Sequence, residues 1–177
     1  MTPLVCLLTG GRSLRMGRNK AELYRDSTSQ VEWLVGLAQS VVGQRVIEVG
    51  SQAGGCEYFI DSGAGPAQAL HEAASAGALG TSGTVVVVPI DLFRLEASGL
   101  SWLLREALRI PCVVVVDGSP SWTTFGIPVS MLLEPPVGGS LRSFASSLRR
   151  VEVPQPLAPQ FRDSDYPSEL PANIWLG

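Results

Sequence analysis

Unbroken aliphatic runs constrain this chain more than any other feature. PLVCLL (3–8), RVIEVG (45–50), TVVVVPI (84–90) and CVVVVD (112–117) are strand-length and do not alternate with polar residues. A strand apolar on both sides must be covered on both sides, which is the mark of a parallel sheet between two helical layers. The intervening segments carry helix-period stripes. Val31, Leu34, Val35, Ala38, Val41 and Val42 share one face, and Ser29 and Glu32 are spaced as a capping box at its start. Leu100, Leu103, Leu104, Ala107 and Leu108 form a second stripe, and Leu141, Phe144, Ala145 and Leu148 a third. The expected fold is therefore a three-layer α/β/α sandwich around a Rossmann-like, mostly parallel sheet. At 177 residues one buried core is the expectation, so residues 1–177 read as a single domain. The stretch 154–177, rich in Pro, Ser and Asp and without a period, is expected to wrap over its surface as an irregular tail.

Composition narrows the partners. With 45% apolar and 16% charged residues the chain should fold, and a net charge of −3 with pI near 5.1 argues against a broad nucleic-acid surface. No apolar run approaches the roughly 20 residues of a membrane helix. The N-terminus lacks the basic region and cleavage site of a secretory signal and reads as the first strand. Cys6, Cys56 and Cys112 are odd in number and unrelated in spacing, which fits a reducing, cytoplasmic setting.

In open sheets of this kind ligands bind beyond the carboxyl ends of the strands, so polar residues at strand exits carry the functional information. Five exits qualify: the opening loop, GSQAGG (50–55), DSGAGP (61–66), IDLFRL (90–95) and DGSPSWTTFG (117–126). In the opening loop, LLTGGRSLRMGRNK, Gly10 and Gly11 let backbone N–H groups curl around an anion, while Arg12, Arg15, Arg18 and Lys20 supply charge. The spacing matches neither the dinucleotide fingerprint nor the P-loop. Two readings remain, a phosphate cradle and a glycine turn with solvated arginines. Lysine usage favours the first. Twelve of the thirteen cations are arginine, and the sole lysine is Lys20, a compact ammonium suited to the bridging oxygens of a polyphosphate.

Three carboxylate positions follow the same logic. Asp91, at the end of TVVVVPI, is either a magnesium anchor or a helix cap. Asp61 precedes a Gly-Pro turn, where Pro66 suits a first helical position, and reads as a turn residue or a ligand contact. Asp163 and Asp165, before a Tyr-Pro, read by themselves as a solvated turn. The one histidine, His71, has no serine or cysteine elbow to partner it, so a triad is not expected. Trp33 and Trp102 belong to helix packing. Trp122, on an exit loop, either lines an acceptor pocket or packs the rim.

The opening loop resembles, in register from Leu8 to Lys20, the LAGGxSxRMGxxK signature of the molybdenum cofactor guanylyltransferase (MobA-like) family of the nucleotidyltransferase superfamily, with Thr9 where alanine is usual. The resemblances together span residues 4–170 and are weakest in the middle. It implies a fold of the nucleotide-diphospho-sugar transferase type and a bound nucleoside triphosphate. By resemblance Leu8, Thr9, Gly10, Gly11, Arg15 and Lys20 contact the nucleotide, Arg15 and Lys20 hold its phosphates, and Asp91 coordinates Mg. Asp61 would serve the base and ribose side, and its carboxylate is apt for the two adjacent N–H donors of guanine. FRDSDYPSEL is similar to the family's closing DxDTPEDL motif, which makes Asp165, or Asp163, a second metal ligand. The implied reaction transfers GMP from GTP to the terminal phosphate of molybdopterin and releases pyrophosphate. That phosphomonoester ionises with a second pKa of about 6, so no general base is required. Arg15, Lys20 and Asp91 are the expected catalytic residues. The chain departs from the family at Ala69, where glycine is usual, at Phe93, which replaces a proline, and at Ser51 or Gln52, where an asparagine contacts the nucleotide and Ser51 is the expected contact in its place. These departures motivate two other readings: a CTP-using or other-acceptor nucleotidyltransferase, and a non-catalytic nucleotide-binding homologue.

Overall fold

The aliphatic runs become the buried centre of a seven-stranded sheet in the computed structural model, which describes residues 3–10, 23–25, 27–136, 138–164 and 166–175. Gly11, Arg12, Arg15, Arg18, Lys20 and Asp165 lie outside the described residues. In chain order the elements are β1 (Leu4–Leu8), β2 (Tyr24–Arg25), β3 (Thr28–Ser29), α1 (Gln30–Val42), β4 (Val46–Val49), β5 (Glu57–Phe59) and α2 (Pro66–Ser75). There follow β6 (Thr84–Pro89), α3 (Ala97–Arg109), β7 (Cys112–Val116), β8 (Ser119–Pro128), α4 (Leu141–Ala145), β9 (Arg149–Glu152) and β10 (Ile174–Trp175).

The sheet order is β5-β4-β1-β6-β8-β7-β9, with every strand parallel to its neighbour except β8, which runs against both β6 and β7. β1 lies at the middle of the parallel half, pairing Val5 with Val46 on one side and with Val86 on the other. Helices α1 and α3 cover one face, where Val31, Leu34, Leu100 and Leu103 are buried. Helices α2 and α4 and the turn at 129–132 cover the other, over Leu70, Ala73, Phe125 and Leu132. The expected capping box is formed: the Ser29 hydroxyl accepts from the Glu32 amide at 3.2 Å, and the Glu32 carboxylate accepts from the Ser29 amide at 2.9 Å.

Two local expectations are corrected. Residues 117–126 are not an exit loop. Asp117 (φ 50°) and Gly118 (φ 78°) make a tight hairpin into β8, and left-handed Asp-Gly pairs are favoured for two-residue turns. β8 begins Ser-Pro-Ser, so its strand character comes from lying between β6 and β7 rather than from propensity. Leu108 is 56% exposed, and Trp102 takes its place in the buried stripe of α3. Tyr24–Arg25 and Thr28–Ser29 pair as a two-strand ribbon too short to show a period, and β10 adds a third strand to it.

The tail is anchored at several points. Phe161 is buried and meets Trp102 edge-on at 5.4 Å. α3 has no side-chain cap of its own, and Gln160 supplies one: its Oε1 accepts from the amides of Glu96 (3.2 Å) and Gly99 (3.0 Å). Gly99 leaves the space this needs, since a Cβ there would overlap Gln160 Oε1.

Candidate active site

β1 and β4 end side by side, and their exits touch. Gly50 adopts φ 112°, and a Cβ on it would overlap the amide nitrogen of Gly10. Only glycine permits this approach. Beyond the junction lies a cleft of about 540 Å³ walled by Leu8 and Gly10 at the exit of β1, Val49 and Gly50 at the exit of β4, Asp61, Gly63 and Gly65 from the following turn, and Pro66 and Ala69 from α2. Leu8, Gly10 and Asp61 therefore come together as walls of one cavity. Thr9 does not join them: it is buried, and its hydroxyl donates to the Val49 carbonyl at 3.2 Å, stitching the two exits.

The Asp61 turn is built by its own polar groups. Asp61 Oδ2 accepts from the Gly63 amide at 3.0 Å, and Gly63 (φ 78°) and Gly65 (φ 102°) adopt conformations that other residues resist. Ser62 is clamped to α2 by Glu72, whose carboxylate accepts from the Ser62 amide (2.9 Å) and hydroxyl (2.7 Å). Those bonds, with Gln68, hold the Glu72 carboxyl below the usual carboxylate range.

Glu48 was not anticipated. It is fully buried within β4, and a buried carboxylate must find donors. Its oxygens accept from the amides of Gly54 (2.7 Å) and Ala53 (3.0 Å), tying down the loop that follows β4. Ser51 points its hydroxyl at the same carboxylate, at 3.5 Å, and is not among the residues lining the cleft. The adjacent Cys56 thiol is pushed up to about 11 by burial and then by the Glu48 charge. One charged residue inside an aliphatic strand run is the sequence signal that could have found Glu48.

Asp91 leaves the carboxyl end of β6, the strand beside β1. The Ser164 amide donates to the Asp91 carbonyl at 3.2 Å, and Ser164 is itself fully buried. The tail thus brings Ser164 to the Asp91 backbone. Asp163 is exposed there. Phe93, which stands in place of the family proline, is fully buried and packs with Leu23, Leu170 and Ile174. Arg25 donates to the Phe93 carbonyl while its guanidinium lies 3.9 Å from the Trp33 ring centroid. Gln30, fully buried, donates to the Ile90 carbonyl at 3.1 Å. The Asp91 loop is therefore held from the opening segment, from α1 and from the tail. Among the described residues no three His, Cys, Asp or Glu side chains gather as a metal cage. A hard cation held through one or two carboxylates plus phosphate and water needs no such cage, and an oxygen donor at the end of β6 fits that use. His71 is bonded to the Leu132 carbonyl at 2.9 Å.

A nucleoside-sized cleft at the β1 and β4 exits and a carboxylate at the neighbouring β6 exit suit binding of a triphosphate across the strand ends. The MobA-like NTP transferase domain matches the chain over residues 5–151. No curated protein matches it in sequence. A protein of Aquifex aeolicus VF5 superposes with a TM-score of 0.70 at 16% identity, covering 92% of this chain and 93% of that one. A cytidylyltransferase from Leptospira borgpetersenii gives 0.62 at 13% identity, covering 94% and 79%. A mannose-1-phosphate geranyltransferase from Thermus thermophilus gives 0.55 at 13%, covering 86% and 69%. At these identities the likeness is one of fold, that of the nucleotide-diphospho-sugar transferases. No helix among the described residues is long and apolar enough to cross a membrane.

Proposed function

Because the chain belongs to the MobA-like NTP transferase domain family and is thereby a nucleotidyltransferase, we propose that it transfers a guanylyl group from GTP to the terminal phosphate of a molybdopterin-type acceptor, releasing pyrophosphate. The observation that carries this reading is the convergence of Leu8, Gly10 and Asp61 on one cleft, with Asp91 at the exit of the adjoining strand. Base and ribose enter the cleft, and the Asp61 carboxylate accepts from the guanine edge. The triphosphate then runs along the opening loop, where Arg15 and Lys20 hold its charge.

Asp91, with Asp165 or Asp163, would hold magnesium, which supplies charge neutralisation at the α-phosphate and the departing pyrophosphate. The acceptor phosphate, already ionised at neutral pH, attacks the α-phosphorus from the side opposite the leaving group. Catalysis is then alignment and electrostatic stabilisation, without a proton-abstracting side chain. The test is pyrophosphate release with each of the four nucleoside triphosphates, with and without molybdopterin. Release that requires both GTP and molybdopterin is expected. Release with CTP alone among the nucleotides would assign a cytidylyltransferase, and no release with any would leave a nucleotide-binding homologue.

A further inference from the structure

Glu48 interrupts a strand that is otherwise aliphatic. Val46, Ile47 and Val49 of β4 are buried with it, and a carboxylate in that company is unfavourable unless its oxygens find donors. Every donor comes from the chain just beyond β4. Besides the amides of Ala53 and Gly54, the Ser51 hydroxyl lies 3.5 Å from one oxygen and the Cys56 thiol 3.7 Å from the other. Among the described residues no cation pairs with it. An apolar side chain would hold this loop by contact and leave its peptide units free to turn. A carboxylate only accepts, so it dictates that the planar units at 52–53 and 53–54 face it with their N–H groups.

That constraint bears on the nucleotide cleft because of where the loop begins. Gly50 walls the cleft, and its amide donates to the Phe59 carbonyl of β5 at 3.0 Å. On its other side it meets Gly10 so closely that no Cβ fits between them. Glu48 precedes Gly50 in the chain and its amide partners follow it, so the carboxylate closes a ring of backbone that passes through the cleft wall. The ring also rests on α1. A Cβ on Gly54 would lie 2.5 Å from Val35 Cγ2, 2.8 Å from Val31 Cγ1 and 2.9 Å from Glu48 Oε1, which leaves the loop no room to shift toward that helix.

We infer that Glu48 is the positioning residue for the nucleoside side of the cleft. Through the amides of Ala53 and Gly54 it holds Gly50 against Gly10, and so sets the width of the space that receives base and ribose. It acts through the backbone and is not itself a wall of the cleft. The inference deepens the nucleotidyl-transfer reading above and rests on it.

The experiment is calorimetric titration of the full chain with magnesium, using GTP, CTP and inorganic tripolyphosphate as probes. Tripolyphosphate reports on the opening loop alone, whereas the nucleotides report on loop and cleft together. E48Q keeps the volume but turns an NH₂ donor toward an amide that also donates. It should weaken the better-bound nucleotide about tenfold and tripolyphosphate less than about twofold. G54A crowds the same ring with Glu48 intact and should show the same split, so the result does not depend on E48Q folding. In the pyrophosphate assay both variants should raise the nucleotide KM with kcat changed less than about twofold, because ground state and transition state lose the wall alike. A general loss of folded protein would instead lower the number of binding sites and kcat and leave KM unmoved. Nucleotide affinity unchanged in both variants, or nucleotide and tripolyphosphate weakened equally, overturns the inference. A wild type that binds neither GTP nor CTP overturns the nucleotidyl-transfer reading, and this one with it. That failure is read before any variant is compared, so the two are distinguishable.

Discussion

Asp91 stands just past the end of β6, where its carbonyl accepts from the Ser164 amide. Asp91→Asn keeps the backbone bond and removes the charge. It should lower kcat by about 10²–10³-fold and abolish magnesium dependence while leaving the urea midpoint unchanged. Pyrophosphate release and equilibrium unfolding check the two halves of that statement. Lys20→Ala should weaken triphosphate binding about tenfold or more, read by titration with GTP, and the loss should shrink with rising salt. Gly50 is a different kind of residue, required for its missing side chain. Gly50→Ala places a methyl against the Gly10 amide at a left-handed φ, so it should cost about 1–3 kcal/mol in unfolding free energy and weaken nucleotide binding together. Glu48 shows why single residues are hard to read from sequence. Its place in an aliphatic run was visible, but its donors at Ala53 and Gly54 become neighbours only when the loop folds back.

Among the elements, α3 and the tail depend on each other. The helix lacks a cap until Gln160 arrives from some sixty residues downstream, and Phe161 then packs on Trp102. Gln160→Leu should cost about 1–2 kcal/mol by leaving the first-turn amides unpaired. Phe161→Ala should cost about 3–5 kcal/mol, measured by urea unfolding, because a buried aromatic is emptied from the core. The helices were legible because their stripes are local: Ser29 and Glu32 mark the start of α1 by themselves. β8 was not legible as a strand, since its early residues are Ser, Pro and Ser and its partners lie on either side of it in space. Phe93 likewise read as a departure from a motif. The structure shows it buried with Leu23, Leu170 and Ile174, three residues distant in sequence that together lock the Asp91 loop.

For the molecule as a whole, acid sensitivity follows from two carboxylates held below their usual value of 4.5: Glu32 by the Ser29 hydroxyl and amide, and Glu72 by the Ser62 amide and hydroxyl. The folded state therefore binds fewer protons than the unfolded chain in the range just below 4.5. The stabilisation is fully present above that range and is lost as pH falls through the lowered values. Urea midpoints of wild type and Glu72→Gln should differ by a constant amount near neutrality and converge below about pH 4.5.

What the sequence determined by itself is whatever a local pattern suffices to specify. Aliphatic runs demand burial on both faces and hence a covered, mostly parallel sheet, and Ser29 with Glu32 specifies where α1 begins. What the tertiary structure decided depends on groups that are neighbours only after the chain has closed. It inserted β8 between β6 and β7, brought the acidic tail to the Asp91 carbonyl, turned Ser51 toward Glu48, and set Arg142 and Arg150 around Trp122. Hydrophobic periodicity records which way a residue faces, but it carries no record of what it will face.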